Sequence, residues 1–161
     1  MQLKWRLSHA RGYMELGMLD AAAQELTLIE PEWKDSAAVL EIRVRIHQER
    51  QEWTQMADVA AELVRREPTV AGWWILWAYG ARRGASLANA DAILRQAEKL
   101  HPDNATIQFN LGCYACQMGN MIVADARVTR AIKMDPAIQA RAQEDPDLQP
   151  LRDAKRGPLE G

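Results

Sequence analysis

Residues 110–136 read NLGCYACQMGNMIVADARVTRAIKMDP, and the stretch closes on Pro136, the last rung of a ladder in which Pro68, Pro102 and Pro136 stand 34 positions apart. Each proline ends an apolar run, and that interval is the length of one helix-turn-helix unit. Working outward from the stretch, Ala90 and Ala124, Leu94 and Val128, and Ala97 and Ala131 match at the same interval with no insertion. A unit of this size cannot bury its apolar face alone, so it must stack on its neighbours. The period therefore predicts a short all-α solenoid.

The local pattern agrees. Trp74, Trp77, Ala78 and Ala81 recur at i, i+3, i+4 and i+7, one stripe of a 3.6-residue helix. Gly119 followed by Asn120 fits a left-handed helix end and a polar cap for the next helix. Asp103 and Asn104, Thr69, and Ser36 offer oxygens to the free N–H groups of the helices that follow them. The reading gives eight helices, over residues 3–16, 19–30, 36–50, 53–66, 70–83, 87–100, 105–118 and 121–134, and no strand. Ala10, Val44, Ala78 and Gly112 form a ladder of small residues expected at close helix crossings, because helices approach to about 8–10 Å only where side chains allow it. Trp5, Val39, Trp73 and Ile107 form a second ladder expected between units, and Trp74 and Trp77 are read as core.

In residues 110–136, Leu111, Gly112, Gly119, Ala124, Ala131 and Pro136 fall where the tetratricopeptide repeat motif places them, and the chain resembles that family. The preceding unit repeats the register with Trp74, Trp77, Ala78, Ala90, Leu94, Ala97 and Pro102. A third copy ends at Pro68 but carries His47, Gln51 and Met56 where the motif favours an aromatic, Gly and Ala. The most N-terminal copy shows Tyr13, Gly17 and Ala22, and its Pro31 arrives three residues early, which predicts a short second helix. The resemblance covers residues 3–136 and implies an all-α, α-α superhelix of tetratricopeptide-type repeats at about 3–36, 37–70, 71–104 and 105–138 in one domain. Residues 139–161 are assigned to a C-terminal cap and tail: Asp145-Pro146-Asp147 reads as a helix start, Leu148 and Leu151 are available to dock, and Gly157 to Gly161 are expected to be disordered.

Composition excludes several classes. A chain of 161 residues with 48% hydrophobic and 26% charged residues is an ordinary globular mixture, and its net charge of −2 gives no general affinity for nucleic acid or anionic membrane. No segment approaches the roughly 20 apolar residues of a membrane-spanning helix. Met1 leads into the first helix without the order of a secretory signal, so a cytoplasmic setting is expected. Cys113 and Cys116 are spaced for redox or zinc chemistry, but a zinc site needs about four ligands and His9, His47 and His101 lie in three different repeats. They are read as reduced structural cysteines. No nucleophile elbow or phosphate-binding glycine loop is present, so no enzyme activity, metal or cofactor is expected.

The resemblance implies that the first helix of each repeat lines a concave groove. Positions about 100° around from the core stripe are Leu7, Arg11 and Met14; Glu41, Arg45 and Gln48; Ile75, Tyr79 and Arg82; and Phe109, Cys113 and Cys116. The binding residues expected from these are Leu7, Arg11, Arg45, Ile75, Tyr79, Arg82 and Phe109, with Arg45, Tyr79 and Phe109 on one surface. Such a mixed face accepts a peptide or protein segment with apolar anchors and acidic flanks. It departs from the family subclass that clamps a chaperone's terminal carboxylates, since Leu7, Ile75 and Phe109 stand where polar or basic groups are needed. The function expected is a protein-binding adaptor or scaffold, monomeric or homodimeric; the alternative is a small bacterial secretion-type chaperone, against which counts the start of the repeats at about residue 3.

Overall fold

A computed structural model of the chain describes residues 2–157, and the expectations for 158–161 lie outside it. Among the described residues there are ten α-helices and no strand: α1 Gln2–Glu15, α2 Leu19–Thr27, α3 Ala37–Glu49, α4 Trp53–Arg66, α5 Ala71–Gly84, α6 Leu87–Leu100, α7 Ala105–Gln117, α8 Met121–Met134, α9 Ile138–Glu144 and α10 Gln149–Arg156. Single 3-10 turns occur at Pro31–Trp33 and Pro146–Leu148. Helices α3, α5 and α7 begin 34 positions apart, as do α2, α4, α6 and α8. The residues fall into two compact units, Met1–Ala90 and Asp91–Gly161.

The turn inside each repeat is closed by the same long hydrogen bond. The N–H groups of Met18, Glu52, Ser86 and Asn120 donate to the carbonyls of Tyr13, His47, Ala81 and Ala115, again in steps of 34 positions. This is the six-to-one bond of a Schellman closure, which favours a left-handed residue just before the donor. Gly17 (φ 72°) and Gly119 (φ 83°) supply it, and in the second repeat Gln51 takes φ 57°. In the third the donor follows Ala85 at φ −130°, so the bond closes there without a left-handed residue. The departure from the repeat pattern at Gln51 therefore leaves the turn intact and places a side chain in a conformation it disfavours.

Asn120 accepts from the Val123 N–H and Asn104 from the Ile107 N–H, so both expected caps form. Two others do not. The Ser36 Oγ is buried without a hydrogen-bond partner, and α5 begins after Val70, so Thr69 lies one residue too early to cap it. Helix α2 has 9 residues where α4, α6 and α8 have 14. Pro31 accounts for the shortening, because it opens a separate 3-10 turn in place of the final helical turn.

In the first unit α1 packs on α2, α3 on α4 and α4 on α5. Leu7, Ala10, Ala22, Leu26, Val39, Ile42 and Ile46 make one buried cluster, and Leu40, Val44, Met56, Ala60 and Leu63 another. The small-residue ladder is buried throughout: Ala10, Val44 and Ala78 have no exposed surface, and Gly112 is buried. Of the second ladder, Val39 and Ile107 are fully buried and Trp73 is half-buried, donating from Nε1 to Glu67. Trp5 departs from it at 53% exposure, stacked on His9, because no second helix of an earlier repeat stands in front of it among the described residues. Trp74 is core, with Nε1 donating to the Pro68 carbonyl and its ring 5.9 Å from that of Trp77.

In the second unit α7 packs on α8, and the crossing is tight: a Cβ on Gly112 would stand 2.8 Å from Val128 Cγ2. Gln108 is a fully buried polar residue, and it is paired on both sides of its amide, since it donates to Glu98 and accepts from Arg127, which itself grips Glu98 at 2.6 Å. The Arg127 hydrogen bond holds the Glu98 carboxyl below its usual range against the opposing effect of burial. After α8 the chain folds back. Leu148 and Leu151 are buried as Asp145 caps the Asp147 N–H, and α10 reaches both α7 and α8. Helix α9 is not distinguished from the tail by any pattern in the sequence.

Two stability measurements follow from these contacts. Gly112→Leu and Ala124→Trp should each lower the free energy of unfolding by about 1–3 kcal/mol, because the crossing has no space to yield; urea midpoints equal to the parent's would contradict the packing. Gln51→Gly should raise stability by about 0.5–1 kcal/mol by relieving the left-handed backbone, and a lower thermal midpoint would contradict the turn.

Candidate peptide-binding groove

Helices α1 and α3 lie side by side in the first unit, and between them is an open depression of about 370 Å³ lined by Arg11, Met14, Glu15, Glu41, Ile42 and Arg45. Arg11 and Arg45 occupy equivalent places one repeat apart, so stacking the repeats brings their cations to one surface. The Arg45 Nη2 donates to Glu41 Oε1 at 3.2 Å across one helical turn, and the guanidinium stays more than half exposed. An exposed pair of this kind is worth at most about 1 kcal/mol, so an incoming carboxylate can replace it. Arg11 is exposed and makes no ion pair among the described residues. Met14 gives the floor an apolar, adaptable surface over the buried Ile42.

One repeat on, Ile75 and Arg82 of α5 are half-buried. Tyr79 is half-buried too, and held on two sides. Its ring meets Trp53 edge-on at 5.8 Å and 64°, and the Arg83 guanidinium lies 3.5 Å from its centre. Arg83 also donates to the Tyr79 carbonyl, so cation, aromatic ring and backbone form one assembly.

Two of the expected groove residues are corrected. Leu7 is 6% exposed and belongs to the core formed with Ala22, Leu26 and Val39. Phe109 is fully buried, with the Arg141 guanidinium 4.6 Å from its ring centre. The physical reason is the returning C-terminal segment: Gln117 Nε2 donates to the Asp147 carbonyl, and the turn holding Leu148 packs on α7. The face of α7 that the repeat pattern marks as groove is thus core, and neither side chain offers surface to a partner.

The same return sets Cys113 beside acidic groups. Cys113 and Cys116 are buried thiols not joined in a disulfide, with Cys116 Sγ 4.0 Å from Met121 Sδ. The Cys113 sulfur and the carboxylates of Asp145 and Asp147 lie within 4.8 Å of one another, a grouping invisible to residue spacing because 32 positions separate Cys113 from Asp145. Asp145 already caps the Asp147 N–H. Three ligands remain short of a closed four-coordinate site.

On the outer faces, surface pairing alone shifts proton affinities. Glu62 is lowered to about 2 by hydrogen bonds from Arg65 and Arg66, and Arg95 is raised by Asp91. No helix among the described residues is long and apolar enough to cross a membrane.

These helices make a tetratricopeptide-type repeat fold, and comparison with solved structures agrees. The MamA RS-1 ArsTM double mutant superposes with a TM-score of 0.71 over 87% of this chain and 76% of that one, at 13% identity. MamA MSR-1 C2 gives 0.69 over 82% and 76%, at 14% identity. TTC0263, a thermophilic TPR protein of Thermus thermophilus, gives 0.65 over 99% and 93%, at 16% identity. At these identities the likeness is one of fold. No family model and no curated protein matches the sequence.

The corrected position of Phe109 is testable without a ligand. Phe109→Ala should lower the unfolding free energy by about 3–5 kcal/mol, as for a large buried aromatic; a loss below about 1 kcal/mol in urea denaturation would return the residue to the surface.

Proposed function

We propose that this chain is a protein-binding repeat module, an adaptor or scaffold without catalytic chemistry, that takes a partner segment along the first helices of its N-terminal repeats. The observation that carries the reading is the depression between α1 and α3, where Arg11 and Arg45 flank an apolar floor. Tyr79 adds an amphipathic ring on α5, and Arg and Tyr are the residue types enriched at binding hot spots. The partner is a segment with an apolar anchor and acidic flanks, not nucleic acid or membrane. A reducing, cytoplasmic setting belongs to the same reading and is supported by two buried thiols that form no disulfide. The module works as a monomer or a homodimer.

Panning a random peptide library on the folded chain tests this directly. Selected peptides should carry acids beside an apolar residue and bind more weakly as salt rises. Arg45→Ala and Tyr79→Ala should each cost about 1 kcal/mol of binding, while Arg95→Ala, whose guanidinium pairs with Asp91 on α6, should leave it unchanged. Peptides indifferent to all three changes in calorimetry would refute the groove.

A further inference from the structure

On another face of α3 the same stacking produces a second opening, for a different reason. Where α4 meets α5 the helices touch backbone to backbone: a Cβ on Gly80 would lie 3.0 Å from the Ala57 nitrogen, and one on Gly84 would lie 2.9 Å from the Thr54 nitrogen. The equivalent places one repeat earlier, where α2 meets α3, hold Ile46 and Arg50. Side chains of that size cannot enter so close a crossing, so α3 meets the short α2 side chain to side chain, with Ile46 in the buried cluster of Ala22 and Leu26. The result is a cleft of about 260 Å³.

Its lining is amphipathic. Ala23, Leu26 and Ile46 are apolar, while Lys34, Arg43, His47 and Arg50 ring them. The residues 34 positions later are Pro68, Trp77, Ala81 and Gly84, so this basic ring has no counterpart in the next repeat. Arg43, His47 and Arg50 recur at i, i+4 and i+7 and share one helix face. Lys34 has no carboxylate partner among the described residues. Arg43 stands 3.7 Å from Asp35, and Arg50 pairs with Asp20, but those acids are 68% and 99% exposed. Pairs so open to water contribute little and leave most guanidinium donors free. His47 Nδ1 faces Glu52 at 2.6 Å.

We propose that this cleft binds an oxyanion carried on a short apolar stem, with Lys34 and Arg43 meeting the anion and the stem lying on the half-buried Ala23 above the buried Leu26 and Ile46. Its volume falls just below the usual range of ligand pockets, which suits a small aliphatic acid or the carboxylate end of a chain. The site is separate from the groove of Arg11 and Arg45 and stands or falls independently of it.

Nuclear magnetic resonance titration of the full chain tests it, with hexanoate and acetyl-Gly-Gly-Leu as acids, and hexylammonium and acetyl-Gly-Gly-Leu-amide as cationic and uncharged-end controls. Saturable shifts at Ile46 and His47 are expected from at least one acid, and the tighter of the two names the source, free acid or chain end. Lys34→Gln and Arg43→Gln should each weaken that binding roughly fivefold or more, as loss of a charge-assisted contact, with thermal midpoints unchanged. Arg45→Ala should leave it intact. Absence of saturable shifts from both acids, equal shifts from the controls, or indifference to Lys34→Gln and Arg43→Gln would overturn the proposal.

Discussion

The close crossing of helices is the constraint on which the rest depends. A residue at the place of Ala10, Val44 or Ala78 has no exposed surface at all, and at Gly112 even one added carbon would strike Val128. With the crossing fixed, each second helix can start only where the turn delivers it, and the turn is closed by one backbone bond reproduced four times. Sequence enters this geometry through size. Gly80 and Gly84 let the backbones of α4 and α5 touch, whereas Ile46 and Arg50 make α2 and α3 meet through side chains, so one architecture yields a close backbone contact in one place and an open cleft in another.

The polar side chains are distributed by the same rule. Where the repeats leave a face open, cations sit in weak, exposed pairs that a ligand can displace, as Arg45 does with Glu41. Where the chain covers a face, polar groups must be satisfied internally, and Glu98, Gln108 and Arg127 achieve this with a closed set of hydrogen bonds. A groove with two arginines over an apolar floor and an interior triad of paired polar groups are therefore opposite answers to the cost of taking a charge out of water.

The recurrence of small residues, prolines and turn residues at 34 positions is enough to place eight helices and their register, with every start within one residue and the end of α2, read at 30 and found at Thr27, three residues out, because each is governed by local backbone geometry and by residue size. The shortening of α2 was legible in Pro31. What only the tertiary structure decided is which repeated faces stay open. Phe109 and Cys113 occupy the same register as Ile75 and Tyr79, yet they are buried, because residues 138–151 return over α7 and bring Leu148 and Asp147 against it. Leu7 likewise sits in a groove register and faces the core. Periodicity assigns a side chain to a face of its own helix; whether distant chain then covers that face depends on contacts between segments far apart in sequence, for which no local pattern carries a signal.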